Sequence, residues 1–457
     1  MPGPGPLIRR CRSIRAPVLA LGVAAAAAFP AAAEDLLQVY RDAQRYDAVY
    51  AGARYALEAG RERVPQARAL LLPSLNLTAN ATGQRVDSES KNQSTAPQLT
   101  FTRNPTVVGY TLTLSQPVYR PQNLVQRDQA EYQVRQAEAT FAQASQDLAV
   151  RTAQAYFDVL AAQDTLALVG AQKAAISEQL AQAKRNFEVG TATITDTHEA
   201  QARYDLIVAQ EIAAQNDLDN KRRALQLVAG KEYAQLRPLR TDVRLAPPSP
   251  NDMQSWADLA EKQSYPVLVQ EAVNEVAQLE AKRARAGHLP TLDLVGTYGQ
   301  TSQSSSTVSP VGSDVASSTI GLQLAVPLYQ GGGITSRERE AAANALKARE
   351  DLQNARRTSA VTTRQTYLAV INGIAQVAAL EQALTSSQSA LESNRLGYEV
   401  GVRINIDVLN AQQQLFSTRR DLAVARYNAI LNQLRLKAAA GSLREEDLEE
   451  VNRALQP

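Results

Sequence analysis

Two short segments carry the residue types best placed to do chemistry in this chain. FEVGTATITDTHE (187–199) and YEVGVRINIDVLN (398–410) each place an aromatic residue three positions before a glycine and an aspartate six positions after it. The two glycines, Gly190 and Gly401, lie 211 residues apart. A glycine just past a helix takes the left-handed conformation without a Cβ penalty, and an aspartate beyond it can cap the next helix. The pattern therefore predicts two tight turns, each joining a long helix to a shorter one.

Other reactive side chains are sparse. His198 and His288 are the only histidines, they lie far apart in sequence, and Cys11 is the only cysteine. The segment GGGITS (331–336) lacks the lysine and the spacing of a phosphate-binding loop. We therefore expect no catalytic residue, no metal site and no cofactor, and the sequence does not predict an enzyme.

The first 33 residues predict a secretory signal peptide. A basic stretch is followed by an apolar run over 16–29 and by alanines at 31–33, which is the pattern of a cleaved leader. The basic residues are Arg9, Arg10, Arg12 and Arg15. Cleavage before Glu34 would take the formal net charge from +2 to −2 and would remove Cys11. The mature chain is then an exported protein without disulfides, and its charge does not favour nucleic-acid binding.

The two turn segments, 187–199 and 398–410, are called the tips below, and they belong to a wider internal duplication. The matching pairs are SQPVY (115–119) with AVPLY (325–329), AYF (155–157) with TYL (366–368), Ala229-Gly230 with Ala440-Gly441, and LLPSLNL (71–77) with HLPTLDL (288–294). Each half predicts the same order of elements: a helical stretch, two strands, a very long helix and a shorter helix.

The duplication sets the expected domain boundaries. They are a signal peptide at 1–33, a first repeat at 34–230 with a strand pair over 73–118 and a helical hairpin over 122–229, a linker at 231–251, a second repeat at 252–441 with a strand pair over 290–328 and a helical hairpin over 334–440, and a tail at 442–457. The helical stretches that open the repeats are expected over about 34–70 and 252–287.

The strands are predicted from alternation of apolar and polar residues. The apolar positions include Leu75, Leu77, Ala79 and Ala81 in the first repeat and Ile320, Leu322 and Leu324 in the second. Each run is about 10 residues long, enough for a tilted strand to cross a bilayer. An ordinary soluble sheet remains the alternative at this point. The polar stretches at 87–105 and 304–314 predict exposed loops, and no window of about 18 consecutive apolar residues predicts a transmembrane helix.

Membrane strands would require an oligomer. Four strands per chain cannot close a barrel, because the smallest spanning barrels use about eight, and an open sheet edge in lipid is costly. Two chains would supply eight strands and three would supply twelve.

The long helices are the stronger signal. Residues 122–189 contain no proline and one glycine, Gly170. At about 1.5 Å per residue, such a helix spans roughly 100 Å. Its apolar positions are mostly alanine, so helices can approach closely in a thin, coiled-coil-like wall. A dimeric rod fits less well, because each half also carries a strand pair.

Taken together, these features resemble the TolC family of outer-membrane efflux and secretion ducts. The resemblance covers nearly the whole mature chain. It rests on the signal peptide, the duplication, the two tips, and the strand pairs ending in QPVY (116–119) and VPLY (326–329). It implies an α+β membrane protein: a trimer whose twelve-stranded outer-membrane β-barrel, four strands per chain, continues into a helical periplasmic tunnel. An equatorial belt would be formed by the linker and the tail.

The resemblance also implies a gate at the tips. In this family the second hairpin closes the periplasmic end by tethers to its neighbours. Tyr398 and Arg403 match the tethers, Asp196 on the first hairpin matches their acceptor, and Asp407 matches a ring of aspartates that narrows the entrance. Asn410 stands where the best-studied member has a second aspartate, which leaves a double ring in doubt. Asp196 could equally serve as a helix cap.

The function implied is passive export. The sequence shows neither an ATPase nor a proton path, so the duct would dock through a periplasmic adaptor to an energised inner-membrane transporter. It would lie in the outer membrane, extend into the periplasm, and expel drugs, secreted proteins or both. The alternative is a periplasmic coiled-coil adaptor or structural rod. It is less favoured because adaptors usually place one helical hairpin between β-rich modules.

Overall fold

The computed structural model describes residues 34–89, 100–240, 243, 245–305 and 311–456. The predicted signal peptide, with Cys11, and parts of the two polar loops lie outside the described residues. The elements of the first half are α1 (Leu36–Tyr46), α2 (Ala48–Arg61), α3 (Arg63–Ala69), β1 (Ser74–Gly83), β2 (Val86–Glu89), β3 (Thr100–Arg103), β4 (Thr106–Tyr119), α4 (Pro121–Glu188) and α5 (Ile194–Ala229).

The second half follows the same plan. Its elements are α6 (Met253–Gln263), α7 (Tyr265–Arg285), β5 (Thr291–Gln303), β6 (Ser313–Ala325), α8 (Gly333–Glu399), α9 (Asn405–Ala439) and α10 (Glu445–Arg453). The helix expected over 122–189 thus runs from Pro121 to Glu188. Helix α4 has 68 residues and α8 has 67, so each is roughly 100 Å long at about 1.5 Å per residue.

The helical stretches expected at the start of each half are present, and each is divided into shorter helices. Asp47 ends α1 and caps α2, because its carboxylate accepts a hydrogen bond from the backbone N–H of Tyr50 at 2.7 Å. Burial alone would raise the pKa of Asp47, but hydrogen bonds from Arg151 and from Tyr50 outweigh it and lower that pKa. In the second half the break falls at Ser264, between α6 and α7.

The four long strands form one antiparallel sheet in the order β1-β4-β5-β6. The central pair, β4 with β5, joins the two halves of the chain. The outer strands β1 and β6 are exposed along their whole length. Alternation of apolar and polar residues, the signal used to predict these strands, therefore has no buried face within a single chain.

One polar loop was predicted incorrectly. Residues 86–89 and 100–103 pair as a two-stranded antiparallel ribbon, β2 with β3, within the stretch expected to be an irregular loop. Residues such as Val86 and Thr102 favour strands, and the Thr102 hydroxyl donates to the Asp87 carboxylate at 2.5 Å across the ribbon.

The main apolar core lies midway along the helices. Tyr156 and Phe157 of α4 are fully buried beside Tyr427 of α9. The Tyr156 hydroxyl lies 3.2 Å from the carbonyl of Glu34 and 2.9 Å from that of Arg237. The linker and the C-terminal segment close around this core, as isolated bridges pair residues 34 with 236 and 239 with 455. Each large side chain buried here contributes about 1.5–3 kcal/mol.

Helix α8 meets a length-and-composition test for a membrane span, which the sequence analysis did not anticipate. One 18-residue window of it has a mean hydropathy of 1.3, and 11% of that window is buried. Helix α8 mixes alanine and valine with polar residues and has no long run of consecutive apolar residues, so its sequence did not predict a membrane span. Val370 and Val377 of α8 are buried against other helices of the chain. A long helix that packs against neighbouring helices also needs many apolar residues, so packing between helices accounts for the hydropathy of α8.

Candidate functional site at the hairpin tips

The first tip is held by a complete capping box. Gly190 has a φ of 79°, which turns the chain after α4. The Asp196 carboxylate accepts from the backbone N–H of Thr193 at 2.9 Å and from its hydroxyl at 2.8 Å. The backbone N–H of Asp196 in turn donates to the Thr193 hydroxyl at 3.3 Å. Asp196 therefore caps its own helix in the single chain, and its role as an acceptor for a neighbour stays a prediction.

The second tip makes the same turn without the cap. Gly401 has a φ of 78°, but α9 follows Ile404, whose side chain cannot accept a hydrogen bond. An aspartate beyond the glycine was expected to cap this helix, and Asp407 does not provide the cap. Asp407 instead lies 3.6 Å from the Arg403 guanidinium and keeps 33% of its side chain exposed. Its carboxylate makes no capping contact and remains accessible to further partners beside Arg403.

Tyr398 ties the second hairpin to the first hairpin of the same chain. The Asn186 side-chain amide, near the end of α4, donates to the Tyr398 hydroxyl at 3.3 Å. A tether to a neighbouring chain, as the sequence analysis expects, stays a prediction. The contact nevertheless places the hydroxyl at a boundary between hairpins, where a reversible hydrogen bond can hold one against the other.

Arg403 lies over a glycine of α8. A Cβ added to Gly397 would stand 2.7 Å from Cγ of Arg403, so the arginine stem occupies space that only a glycine leaves open. The Arg403 side chain as a whole is 58% exposed. An exposed charge on a packed stem can reach a second carboxylate without rebuilding the tip.

Asn410 has a partner that the sequence analysis missed. Arg203 of α5 donates to the Asn410 side-chain oxygen at 2.9 Å and to that of Gln413 at 2.6 Å. Arg203 lies seven residues after Asp196, so the two share a face of α5. The spacing places Arg203 on the face of Asp196, but it does not show which residues of the other hairpin Arg203 contacts. The pair of contacts links the first hairpin to the second beside the tip.

The tip cluster, defined here as Arg203, Tyr398, Arg403, Asp407 and Asn410, pairs Arg403 with the Asp407 carboxylate and Arg203 with the Asn410 amide. It offers no nucleophile, and its contacts are hydrogen bonds and one partly exposed ion pair. Within the described ranges, no group of three or more His, Cys, Asp or Glu could hold a metal ion. This chemistry suits reversible closure rather than catalysis.

The two histidines do not take part in the cluster. His198 is exposed near the start of α5. His288 lies at the other end of the molecule, 3.4 Å from Glu338. The residues with functional potential are therefore the polar groups of the tips.

The hairpins that carry the tips are held by apolar contacts between their helices. Leu180 and Ala183 of α4 are buried against Ala200 of α5. Lys173 of α4 pairs with Glu211 of α5 at 2.5 Å. Further from the tip, burial raises the pKa of the Asp164 carboxyl, which accepts a hydrogen bond from the Tyr427 hydroxyl at 2.6 Å. The last contact joins α4 to α9, and so one hairpin to the other.

Comparisons with known proteins agree with this architecture. The family model described as "Outer membrane efflux protein" matches residues 23–231 and 256–442. The chain is 36% identical to the outer membrane protein TolC of Vibrio cholerae over 426 residues, covering 93% of this chain and 94% of that protein. It is 32% identical to the proteases secretion protein PrtF of Dickeya chrysanthemi, covering 92% of this chain and 90% of that protein.

Solved structures give the same result for the fold. The outer membrane protein VceC of Vibrio cholerae superposes with a TM-score of 0.73 at 19% identity, covering 89% of this chain and 96% of that chain. TolC and VceC are outer-membrane proteins by name, and the alternative of an adaptor or rod is not favoured.

Proposed function

We propose that this chain, which belongs to the outer membrane efflux protein family, is the passive outer-membrane duct of an export system. One observation carries the proposal. A single four-stranded sheet lies at one end of helices that run roughly 100 Å to polar tips at the other end. Strands of 10 to 14 residues with exposed outer strands are suited to crossing a lipid bilayer. Helices of this length are suited to extending into the periplasm.

We further propose that three copies assemble around one axis. Twelve strands would close a barrel, and the paired long helices would continue it as a tunnel. We also propose that the chain is internally duplicated. One family model matches it twice, over residues 23–231 and 256–442, which supports the duplication. Closure also gives the outer strands, which are exposed in the single chain, a partner on every side.

The tips would form the gate of this duct. Tyr398 and Arg403 would hold the second hairpin in the closed position, and three Asp407 carboxylates would narrow the entrance. Contacts of this kind are individually modest, so a docked partner could release them. Asp196 would contribute to the gate only if its capping contacts were exchanged for contacts with a neighbour.

Energy and partners would come from outside the chain. A periplasmic adaptor would join the tips to an inner-membrane transporter, which would drive cargo through the open duct. A relative named for protease secretion supports proteins as cargo, and the family description supports efflux of small molecules.

Fractionation and electrophysiology test the duct together. The chain should be recovered with outer membranes, run as a detergent-stable trimer, and give single-channel currents in planar bilayers. A protein released in soluble form from the periplasm would contradict the proposal, as would cross-linking that saturates at a dimer.

A further inference from the structure

The segments that lead into the strands of the two halves share a basic residue. ARALLLP (67–73) precedes β1, and ARAGHLP (284–290) precedes β5. Arg68 and Arg285 stand at the same place in these segments, each six residues before its strand begins. Both are exposed. The two halves therefore carry a cation at the same level, where the helices meet the sheet.

Two further cations lie at this level. Lys282 precedes Arg285 by three residues in the last turn of α7, and Arg339 lies in the second turn of α8. Both are exposed. Among the residues that the structure describes, none of these four cations has an ion-pair partner. They are called the basic rim below: Arg68, Lys282, Arg285 and Arg339.

Carboxylates near the rim mostly have other partners. Glu62 lies six residues further from the strands than Arg68, and Glu340 lines the cavity described below. The chain as a whole is nearly balanced, with 48 Lys and Arg against 46 Asp and Glu, so the rim is a local excess of positive charge. The carboxylates that are already paired are Asp128 with Arg127, Glu280 with Arg283, Asp293 with Arg120, and Glu338 with His288.

The four-stranded sheet has one polar and one apolar face. Successive side chains of a strand point to opposite faces, so Thr291 and Asp293 of β5 lie on one face and Leu292 and Leu294 on the other. In the proposed barrel the apolar face contacts lipid. The paired residues of this face include Leu292 with Leu324, Leu294 with Leu322, Leu75 with Leu114, and Leu77 with Leu112.

A cavity of about 630 Å³ marks the polar side of the molecule at the level of the rim. Thr291 and Ala325, which stand opposite each other in the sheet, both line it. It therefore lies on the face that Thr291 shares with Asp293. The helix residues that line it include Arg283 and Gly287 of α7 and Arg337 and Ala341 of α8.

Arg285 and Arg339 lie on the other side of their helices. Each is two residues from a cavity-lining residue in both directions along its helix. Two residues correspond to a rotation of about 200°, so both positions are roughly opposite the cavity. Lys282 is likewise two residues before Ala284, which lines the cavity, and Arg68 is placed by its match with Arg285. The rim thus shares its side of the molecule with the apolar face of the sheet.

We propose that the basic rim binds the headgroups of anionic phospholipids in the periplasmic leaflet of the outer membrane. The inference rests on the proposed membrane position of the sheet and adds a lipid partner to it. Six helical residues span about 9 Å, and the headgroup layer on each side of a bilayer is roughly 5–8 Å thick. Rim side chains therefore reach the headgroups when they extend towards the strands.

Apolar residues between the rim and the strands support this extension. Leu72 is 59% exposed and Leu289 is 43% exposed, and each lies between a rim arginine and the strand that follows it. Arginine and lysine lay their apolar stems along such surface and place the charge at the membrane interface. A cluster of cations beside a membrane attracts anionic lipid in this way.

Helix stabilisation is the competing explanation for three of the four cations. Arg68, Lys282 and Arg285 lie in last turns, where a cation interacts favourably with the helix dipole. Arg339 lies near the start of α8, where the dipole gives a cation no such stabilisation. Interaction with the dipole does not depend on the lipid, so the test compares lipids.

Native mass spectrometry of the full-length protein in detergent measures the binding of added lipid. We expect dioleoylphosphatidylglycerol to bind more tightly than dioleoylphosphatidylcholine, and high salt to weaken this preference. Each cation near an anionic surface contributes about a fivefold factor in affinity, so the single variant Arg285→Gln should reduce the preference about fivefold. The quadruple variant should abolish it: Arg68→Gln, Lys282→Gln, Arg285→Gln and Arg339→Gln.

Two controls separate the rim from charge in general. The first removes four exposed cations that lie far from the sheet and should keep the preference. The second keeps the charge of the rim arginines and should also keep the preference. The first control is Lys184→Gln with Arg223→Gln, Lys262→Gln and Arg357→Gln, and the second is Arg68→Lys with Arg285→Lys and Arg339→Lys.

Three results would overturn the inference. They are a preference that survives in the quadruple variant, an equal loss in the first control, and full displacement of dioleoylphosphatidylglycerol by inorganic phosphate, which would indicate a site for free phosphate. Currents in planar bilayers keep this proposal apart from the duct. A lipid preference without currents would remove the duct and leave the rim, and currents without a preference would do the reverse.

Discussion

The two hairpin tips make the same turn with different chemistry. Gly190 and Gly401 have φ values of 79° and 78° at equivalent positions. Of the flanking positions that differ between the first and the second tip, three bear directly on the polar contacts described above. The pairs are Phe187 with Tyr398, Ala192 with Arg403, and Thr193 with Ile404. The second tip thus gains a hydroxyl and a cation and loses the capping side chain.

These differences decide what the two equivalent aspartates can do. With Thr193 present, Asp196 is held in a capping box and completes its own helix. With Ile404 in its place, Asp407 has no capping contact and faces Arg403 across 3.6 Å. The first tip is therefore fixed by its capping box, whereas the polar side chains of the second tip can change partners. This division fits the proposed gate, in which the second hairpin moves and the first keeps its shape.

The largest effect should come from removing the two polar groups that only the second tip has. Tyr398→Phe with Arg403→Ser should raise single-channel conductance in planar bilayers without lowering trimer yield. Losing about 1–3 kcal/mol of coupling would shift the closed–open equilibrium by roughly 5–150-fold. The exposed Arg403–Asp407 pair itself contributes only about 0–1 kcal/mol.

The control for this variant is the first tip. Phe187→Leu with Ala192→Ser changes the equivalent positions and should leave conductance unchanged. If both double variants raise conductance alike, the proposed division between the tips is wrong.

The next effect concerns the two aspartates. Asp407→Asn should abolish most of the block by a trivalent cation added on the periplasmic side, because a ring of three carboxylates would favour multivalent cations. Asp196→Asn should leave the blocking concentration unchanged, since its carboxylate serves the cap. A block that survives Asp407→Asn would mean that Asp407 does not line the entrance.

Much of this comparison was visible in the sequence. The long helices, the four strands and both turns follow from proline and glycine positions and from alternation along the chain. The positions of the breaks within the opening helical stretches were not predicted, because a single aspartate or serine can end one helix and begin another. The ribbon of β2 and β3 was missed because short polar strands resemble loops.

The candidate site was less predictable than the fold. Glycine and aspartate positions located the tips. They did not show that only the first tip has a capping box, because a cap depends on which side chain reaches which backbone N–H. Arg203 was missed because its partners, Asn410 and Gln413, come from the other half of the chain, and sequence spacing does not report contacts between distant helices.

A smaller effect should come from Arg203, which links the hairpins of one chain. Arg203→Gln removes a cation and two hydrogen bonds beside Asn410, so it should strengthen trivalent block and raise conductance slightly. Asn410→Asp should strengthen the block mainly in the Arg203→Gln background, because Arg203 would neutralise the new carboxylate otherwise. Additive effects in the double-mutant cycle would show that the two residues do not interact in the assembled duct.

The smallest effect should come from giving the second tip the cap of the first. Ile404→Thr places a hydroxyl where Thr193 stands and should stabilise the start of α9 by about 1 kcal/mol. The new cap would draw Asp407 towards its own backbone and away from Arg403, as Asp196 is held now. Cation block should therefore weaken although no charge has changed. Ile404→Val keeps the shape without the hydroxyl and should leave the block as it was. Equal blocking concentrations in both variants would show that the missing cap is not what frees Asp407.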